Sequence, residues 1–123
     1  MAKRGDLISI SINGSKFPAP KETEVEICKG GEMITDTQDY ADGTADSIAT
    51  IVLPKITGCK VKVDDEDLFS NLVKTPDLPI IVECVGKSYE LTGSIVGEVT
   101  VNSKNISSDF EIRATDGNGI RQS

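Results

Sequence analysis

Carboxylates are the most abundant side chains in this sequence that could act in catalysis or bind a metal ion. The 123-residue chain has 20 Asp and Glu against 13 Lys and Arg, and it contains no histidine. The missing histidine excludes Ser-His-Asp triads, Cys-His dyads and His-ligated metals. No nucleotide motif accompanies the acids, because the VGKS at 85–88 lacks the upstream glycines of a phosphate-binding loop. We therefore expect no enzyme activity and no cofactor.

Two acidic clusters have the composition of metal sites but simpler explanations. Asp36, Asp39 and Asp42 recur every third residue, without the spacing of an EF-hand or its closing glutamate. The DDED run at 64–67 precedes an apolar stretch, where Asp64 or Asp65 can cap a helix whose positive end favours acids. We therefore expect no metal site at either cluster.

A third group of acids shares one face of a predicted strand at 22–28. The apolar or neutral face carries Thr23, Val25 and Ile27, and the opposite face carries Glu22, Glu24, Glu26 and Cys28. Like charges on one strand face repel each other, which costs stability unless the face is well solvated. The pattern is consistent with an ordinary exposed face and, alternatively, with a surface that must stay negative.

The overall charge limits the partners. A formal net charge of −7, with no basic stripe, disfavours binding to DNA or RNA through phosphates. No apolar run approaches the length of a membrane span, and no apolar signal core follows the first residues, so we expect neither membrane insertion nor secretion. Cys28, Cys59 and Cys84 lack CxxC spacing and favour reduced strand residues in a cytosolic protein, with surface thiols or a metal site as alternatives.

The clearest structural signal lies in the last third of the chain. From Tyr89 to Val101 every second residue is apolar or glycine, and 106–114 alternates again, which predicts an antiparallel hairpin. The first run of roughly 15 residues would span about 50 Å if straight. That is long for a compact domain, so we expect a bend at Gly93 or Gly97, or a strand that belongs to a wall shared between subunits.

The remaining elements follow from shorter patterns. Ile8, Ile10 and Ile12 share a face of a first strand, and Asn13-Gly14 predicts a tight hairpin turn. Further strands are predicted at 47–53, 58–63 and 78–85, and a helix before Pro76 carries Leu68, Phe69, Leu72 and Val73 on one face.

These elements predict a mainly β fold in a single domain over 1–123. It is an antiparallel β-sandwich or small barrel of about eight strands with one short α-helix. Residues 29–46 show no period and predict a long interface loop, whereas 1–5 and 115–123 are expected to be polar arms.

The order of parts resembles the tail tube proteins of contractile-tailed bacteriophages. The resemblance rests on seven stretches in sequence: ISINGSKF, TEVEIC, a loop with Asp42-Gly43, PKITG, DEDLFSNLV, GKSYELTGSIVGEVTVNS and SSDFEIR. It covers nearly the whole chain. In the best-known members of this family, His-Gly-Tyr follows the corresponding Asp-Gly, but this chain has no His-Gly-Tyr after Asp42-Gly43. The resemblance therefore indicates no subfamily.

The resemblance implies a structural subunit of the virion tail, assembled in the host cytoplasm. Six subunits would close a barrel around a channel, and these hexameric rings would stack into a tube related to the type VI secretion tube. The implied partners are other copies of the chain, the tail sheath, tape measure and baseplate proteins, and DNA that passes transiently.

In a tube of this kind, several of the acidic residues would line the channel and others would lie in the contacts between rings. An acidic channel keeps DNA from adhering, and we expect its lining among Glu22, Glu24, Glu26, Glu90 and Glu98, with Asp109 and Glu111 as further candidates. We expect ring stacking through the loop residues Glu32, Met33, Ile34, Asp36, Asp39, Tyr40 and Asp42.

Two other functions are compatible with the same fold. One is a soluble β-sandwich binding module for a glycan or a protein, although aromatic residues make up only 4% of the chain and tryptophan is absent. The other is a tail terminator or baseplate adaptor, which copy number per particle would separate from a tube subunit.

Overall fold

The computed structural model describes residues 6–122, and the arm predicted at 1–5 lies outside this range. The elements, in chain order, are β1 Leu7–Ile12, β2 Ser15–Pro18, β3 Glu26–Cys28, β4 Gly31–Asp39, β5 Ala45–Val52, β6 Lys55–Cys59, α1 Glu66–Lys74, β7 Leu78–Cys84, β8 Lys87–Val96, β9 Phe110–Ala114 and β10 Arg121–Gln122. The prediction of a mainly β antiparallel fold with one short helix is confirmed.

Within the described residues, eight strands form one antiparallel main sheet. Its order is β2-β1-β7-β8-β9-β6-β3, with β10 also paired to β8. The sheet is not closed into a barrel, so β2 and β3 are its two edges. Strands β4 and β5 pair with each other in a separate two-stranded sheet.

The first hairpin forms as the sequence predicts, but its strand contains an irregularity. Asn13 and Gly14 have φ of 51° and 87°, the left-handed values that a tight two-residue turn requires. The pairing of β1 with β7 shifts between Leu7 and Ser9. This bulge reverses the alternation, so Leu7 is buried and Ile8 is 42% exposed. The prediction that Ile8 shares a face with the buried isoleucines is therefore wrong.

The helix α1 covers the core face of the main sheet. The Asp65 carboxylate caps it by accepting the Leu68 backbone N–H at 3.1 Å, as predicted. Phe69 makes edge-to-face contacts with Phe17 of β2 at 5.3 Å and with Phe110 of β9 at 6.2 Å, measured between ring centroids. Phe69 and Leu72 are buried, whereas Leu68, predicted on the same face, is 40% exposed.

The long C-terminal run bends at the second of its two candidate glycines. Strand β8 ends at Val96, and Gly97 has a φ of +90°. The run is therefore a ten-residue strand followed by an irregular segment. Gly93 lies inside the strand opposite Ala114 of β9, where an added Cβ would overlap the backbone oxygen of Arg113.

The predicted C-terminal arm returns to the main sheet at β10, whereas the residues between β9 and β10 are not in a strand. Ala114 pairs with Gly93, and after an excursion Arg121 pairs with Glu90 of the same strand. Ile120 packs against the core. Because β9 leaves the first half of β8 without a partner on that side, β10 fills the vacant hydrogen-bonding positions.

Three predicted boundaries also change. In the predicted strand at 22–28 only Glu26–Cys28 is β3, and Glu22 has a φ of 62°, which an extended strand excludes. The strand predicted at 58–63 is instead β6 at Lys55–Cys59, followed by buried Val61 and Val63. The segment predicted as an unstructured loop at 29–46 contains all of β4 and the start of β5.

The three cysteines lie in strands, as expected. Cys59 and Cys84 are buried and Cys28 is half-buried, and none is in a disulfide. Burial raises the pKa of the Cys59 thiol to about 12 because the thiolate would be desolvated. It therefore packs as a small apolar residue.

We predict that Gly93→Ala destabilises the fold. The methyl group has no room beside the Arg113 carbonyl, so β8 and β9 must separate locally, which costs about 2 kcal/mol or more on the scale of overpacked sites. Urea denaturation measures the change. The matched control is Gly117→Ala, where no atom lies within 4 Å of the new methyl group and the expected change stays within about 0.5 kcal/mol. Equal effects at both positions would contradict the explanation.

Candidate functional site

The β4–β5 hairpin is the most unusual surface of the molecule. Its strands pair from Gly31–Val52 at the base to Asp39–Ala45 near the tip. Every residue of the two strands is exposed except Val52, which is half-buried. The hairpin therefore projects from the main sheet, and its own domain does not cover either face.

Its two faces differ in how far their apolar side chains are exposed. One face carries Ile34 beside Ala49 and Ile51 beside Glu32. Ile34 and Ile51 are 63% and 78% exposed. We call Ile34, Ala49 and Ile51 the Ile51 face. The opposite face carries the less exposed Met33 and Ile48, and the hydroxyls of Thr35 and Thr50, which lie 2.9 Å apart.

The tip of the hairpin is held by its own side chains. The Tyr40 hydroxyl donates a hydrogen bond to the Asp46 carboxylate at 2.6 Å, which raises the pKa of the tyrosine. The Asp42 carboxylate accepts the Thr44 hydroxyl at 2.6 Å and the Thr44 backbone N–H at 3.0 Å, which lowers the pKa of Asp42. The tip is thus ordered before any partner binds.

The base of the hairpin is held by backbone contacts. Gly30, with a φ of +70°, lies so close to Val52 and Pro54 that an added Cβ would overlap the Val52 carbonyl oxygen. The Pro54 carbonyl accepts the backbone N–H of Ala114 at 3.0 Å. The first contact holds the two legs of the hairpin together, and the second joins the end of the second leg to β9 of the main sheet.

The hairpin is strongly acidic. Residues 31–52 contain no lysine or arginine and five acids: Glu32, Asp36, Asp39, Asp42 and Asp46. A two-stranded hairpin by itself is marginally stable in water. This one also exposes apolar side chains and two unpaired strand edges, the usual features of a surface that pairs with another chain.

The residues that the sequence analysis expects to mediate ring stacking all lie on the hairpin or its tip: Glu32, Met33, Ile34, Asp36, Asp39, Tyr40 and Asp42. The sequence also predicted the partner strand, as 47–53, but not its pairing with this segment, so it did not place Ile48, Ile51 or the following Leu53, which is 62% exposed, on the same surface. The available signal was the turn pair Asp42-Gly43 between two segments of similar length.

The predicted channel acids do not form one surface. Glu26 and Glu90 are exposed, and each lies on the face of the main sheet opposite the core. Glu22 and Glu24 lie in the turn before β3. Glu98 follows the bend at Gly97 and lines a groove beside α1.

The solvent face of the main sheet carries both signs of charge. Glu111, one of the further acids predicted to line the channel, accepts a hydrogen bond from Arg113 and lies 3.7 Å from the Lys55 ammonium. Arg121 pairs with Glu90 across β10 and β8. Asp109 lies 3.6 Å from Lys60. The acids on this face are therefore interspersed with bases.

A groove lies between α1 and the segment after Gly97. It has a volume of about 430 Å³ and an apolar lining formed by Phe69, Val73, Val99 and Val101. Ser70, Lys74, Glu66 and Glu98 lie around this lining. We call this cavity the α1 groove.

Comparison with known proteins gives no match. No protein-family model, curated protein or solved structure is similar to this chain at a significant level. Among residues 6–122 no group of His, Cys, Asp and Glu is arranged to hold a metal ion. In the same range no helix has the length and apolar character needed to cross a membrane.

We predict that the hairpin amides exchange rapidly with solvent in the isolated subunit. Its backbone hydrogen bonds are solvent-exposed and its strands contribute nothing to the core, so local opening costs little. Hydrogen–deuterium exchange should give protection in β4 and β5 at least about a hundredfold below that in β7 and β8. Protection of the hairpin equal to that of β8 in a monomer would mean that its own domain covers it.

Proposed function

We propose that this chain is the repeating subunit of a tubular assembly, the tail tube of a contractile-tailed bacteriophage. The observation that carries the proposal is the β4–β5 hairpin, an ordered arm with exposed apolar residues and no cover from its own domain. Such an arm stabilises contacts between subunits better than it stabilises its own fold.

The open main sheet supports the same conclusion. Its edges, β2 and β3, are four and three residues long. In a ring, an edge of one subunit pairs with an edge of the next, which removes the unpaired hydrogen-bonding groups that would otherwise invite aggregation. A ring closed in this way keeps the hairpins available for contacts along the tube axis.

The solvent face of the main sheet supports a channel wall. Most of its side chains are polar or charged, Glu26 and Glu90 among them, although Ile81, which pairs with Glu90, is 43% exposed on the same face. Lys55, Arg113 and Arg121 on the same face reduce its negative charge, so the channel of this proposal is mixed in sign and less acidic than the sequence suggests. With a chain net charge of −7, DNA still passes without strong adhesion.

The proposed partners follow from this role. They are other copies of the chain in hexameric rings, the sheath outside, the tape measure protein and transient DNA inside, and baseplate proteins at one end. A tail terminator or baseplate adaptor would use the same surfaces in one ring per particle. Negative-stain microscopy of the purified protein tests the assembly directly: rings and stacked tubes are expected, and a stable monomer would favour the binding-module alternative.

We predict that removing the hairpin abolishes tube formation without unfolding the domain. Gly31 and Val52 pair directly, so Asn-Gly in place of residues 32–51 closes a two-residue turn between them. Because the removed strands lie outside the core, thermal unfolding should shift by only a few degrees. Light scattering and microscopy measure assembly. Normal tubes from this variant would contradict the role given to the hairpin.

We also predict that reversing charge on the solvent face makes assembled tubes retain DNA. Glu26→Lys with Glu90→Lys leaves both side chains exposed and adds positive charge to the proposed wall, which increases attraction to phosphates. Co-sedimentation of DNA with tubes at low salt measures the effect. The matched control is Asp64→Lys with Asp67→Lys, which makes the same change in net charge near α1. Equal DNA retention by both double variants would refute the channel assignment.

A further inference from the structure

Two apolar surfaces of the described chain have no cover. One is the Ile51 face of the hairpin, and the other is the α1 groove. Each is small and bordered by charged side chains, as docking surfaces between proteins usually are. The question is whether one of them fits the other.

Strand directions show that these surfaces lie at opposite ends of the main sheet. Strand β6 starts at Lys55, beside the hairpin base, and Cys59 at its other end pairs with Phe110. Strand β8 runs parallel to β6 on the other side of β9, because each is antiparallel to β9. The segment after Gly97 therefore leaves the sheet at the end away from the hairpin.

We propose that the α1 groove of one copy receives the Ile51 face of the hairpin from the next copy along the tube. The inference rests on the proposed function, and it names the receptor surface for the arm. Because the two surfaces differ and lie at opposite ends, their contact is heterologous and leaves a free hairpin and a free groove after every step. Such contacts extend without closing.

The chemistry of the two surfaces is complementary. Ile34 and Ile51 supply branched aliphatic side chains, and Val73, Val99 and Val101 supply an aliphatic lining. The groove volume of about 430 Å³ lies within the range of sites that enclose a specific occupant, about 300–1,000 Å³.

Charge sets the register of this contact. Glu32 pairs with Ile51 across the hairpin and lies on the same face, and Lys74 lies beside the apolar lining of the groove. Glu66 and Glu98 also line the groove, and they repel an acidic hairpin. The favoured register therefore brings Glu32 to Lys74 and keeps the other hairpin acids away from the two glutamates.

The test blocks the groove without touching the core. Ser70 is exposed on α1 and lines the groove, so Ser70→Arg inserts a charged side chain where the apolar hairpin would bind. Neighbouring Asn71 is exposed and does not line the groove, so Asn71→Arg is the matched control. We expect Ser70→Arg to raise the protein concentration needed for stacking by at least about tenfold, corresponding to about 1.4 kcal/mol per ring-to-ring step. We expect Asn71→Arg to stack like the wild type.

Complementation identifies the second surface. Ile51→Asp should prevent the hairpin from binding a groove but leaves the α1 groove of the same copy intact. Ser70→Arg should block the groove but leaves the hairpin intact. At concentrations where the wild type stacks but the variants do not, each variant alone should stop at unstacked subunits or single rings. Their mixture should form two-layer particles and nothing longer, because one functional hairpin–groove pair remains. Mass photometry distinguishes these products.

A charge swap tests the register. Glu32→Lys and Lys74→Glu should each weaken stacking, and the double variant should restore it.

The outcomes separate the two claims. If the wild type forms tubes and Ser70→Arg forms them equally well, the groove assignment is wrong and the tube proposal stands. The same holds if the mixed variants give no two-layer particles. If the wild type remains a monomer at every concentration, both claims fail.

Discussion

The aromatic cluster around Phe69 determines the shape of the domain. Phe69 touches Phe17 on β2 and Phe110 on β9, and these two strands are separated in the sheet by β1, β7 and β8. One helix side chain can reach both only if the sheet curls around it. The curl brings the apolar faces of distant strands into a single core, which an open flat sheet would leave exposed. The helix is short and would not be stable alone, so sheet and helix depend on each other.

Because the sheet curls around the core, the residues that stabilise the fold are separate from those of the β4–β5 hairpin. The concave face holds the buried residues, and the convex face is solvated and mostly polar, with Ile81 as an exposed apolar residue. The β4–β5 hairpin is inserted between β3 and β6 and contributes nothing to the core cluster. Stability therefore depends on residues outside the hairpin, so the hairpin can vary in sequence with little effect on the fold.

The sequence predicts those parts of the fold where one face of an element is buried. The Asn13-Gly14 turn, the β8–β9 pairing and the Asp65 cap follow from local patterns that tertiary packing reinforces. It does not predict the hairpin, because a segment exposed on both faces has no reason to alternate. Nor does it predict the bulge near Leu7 or the pairing of β10, since each depends on the space left by strands distant in sequence.

Part of the candidate site was predictable for a related reason. The acidic and apolar residues of 32–42 stood out because a long segment without a period is either functional or disordered. The channel acids were less predictable, since alternation gives the face of a side chain but not its neighbours. Arg113 is two residues from Glu111 on β9, so their contact could be inferred from the sequence, whereas Lys55 comes from β6, which only the fold brings beside Glu111.

The hairpin is long and its base is held by packing, so a small rotation at the base would move its tip by a large distance. Nine residues at about 3.3 Å each put its tip about 30 Å from Gly30, so a 10° rotation at the base would move the tip by about 5 Å. Gly30 packs against the Val52 carbonyl, and the Pro54 carbonyl accepts a hydrogen bond from the Ala114 backbone N–H. Both contacts restrict that rotation. In the tube that we propose, the backbone at this junction would set the angular step from one subunit to the next, and small changes there would alter the helical twist without changing any residue at the contact.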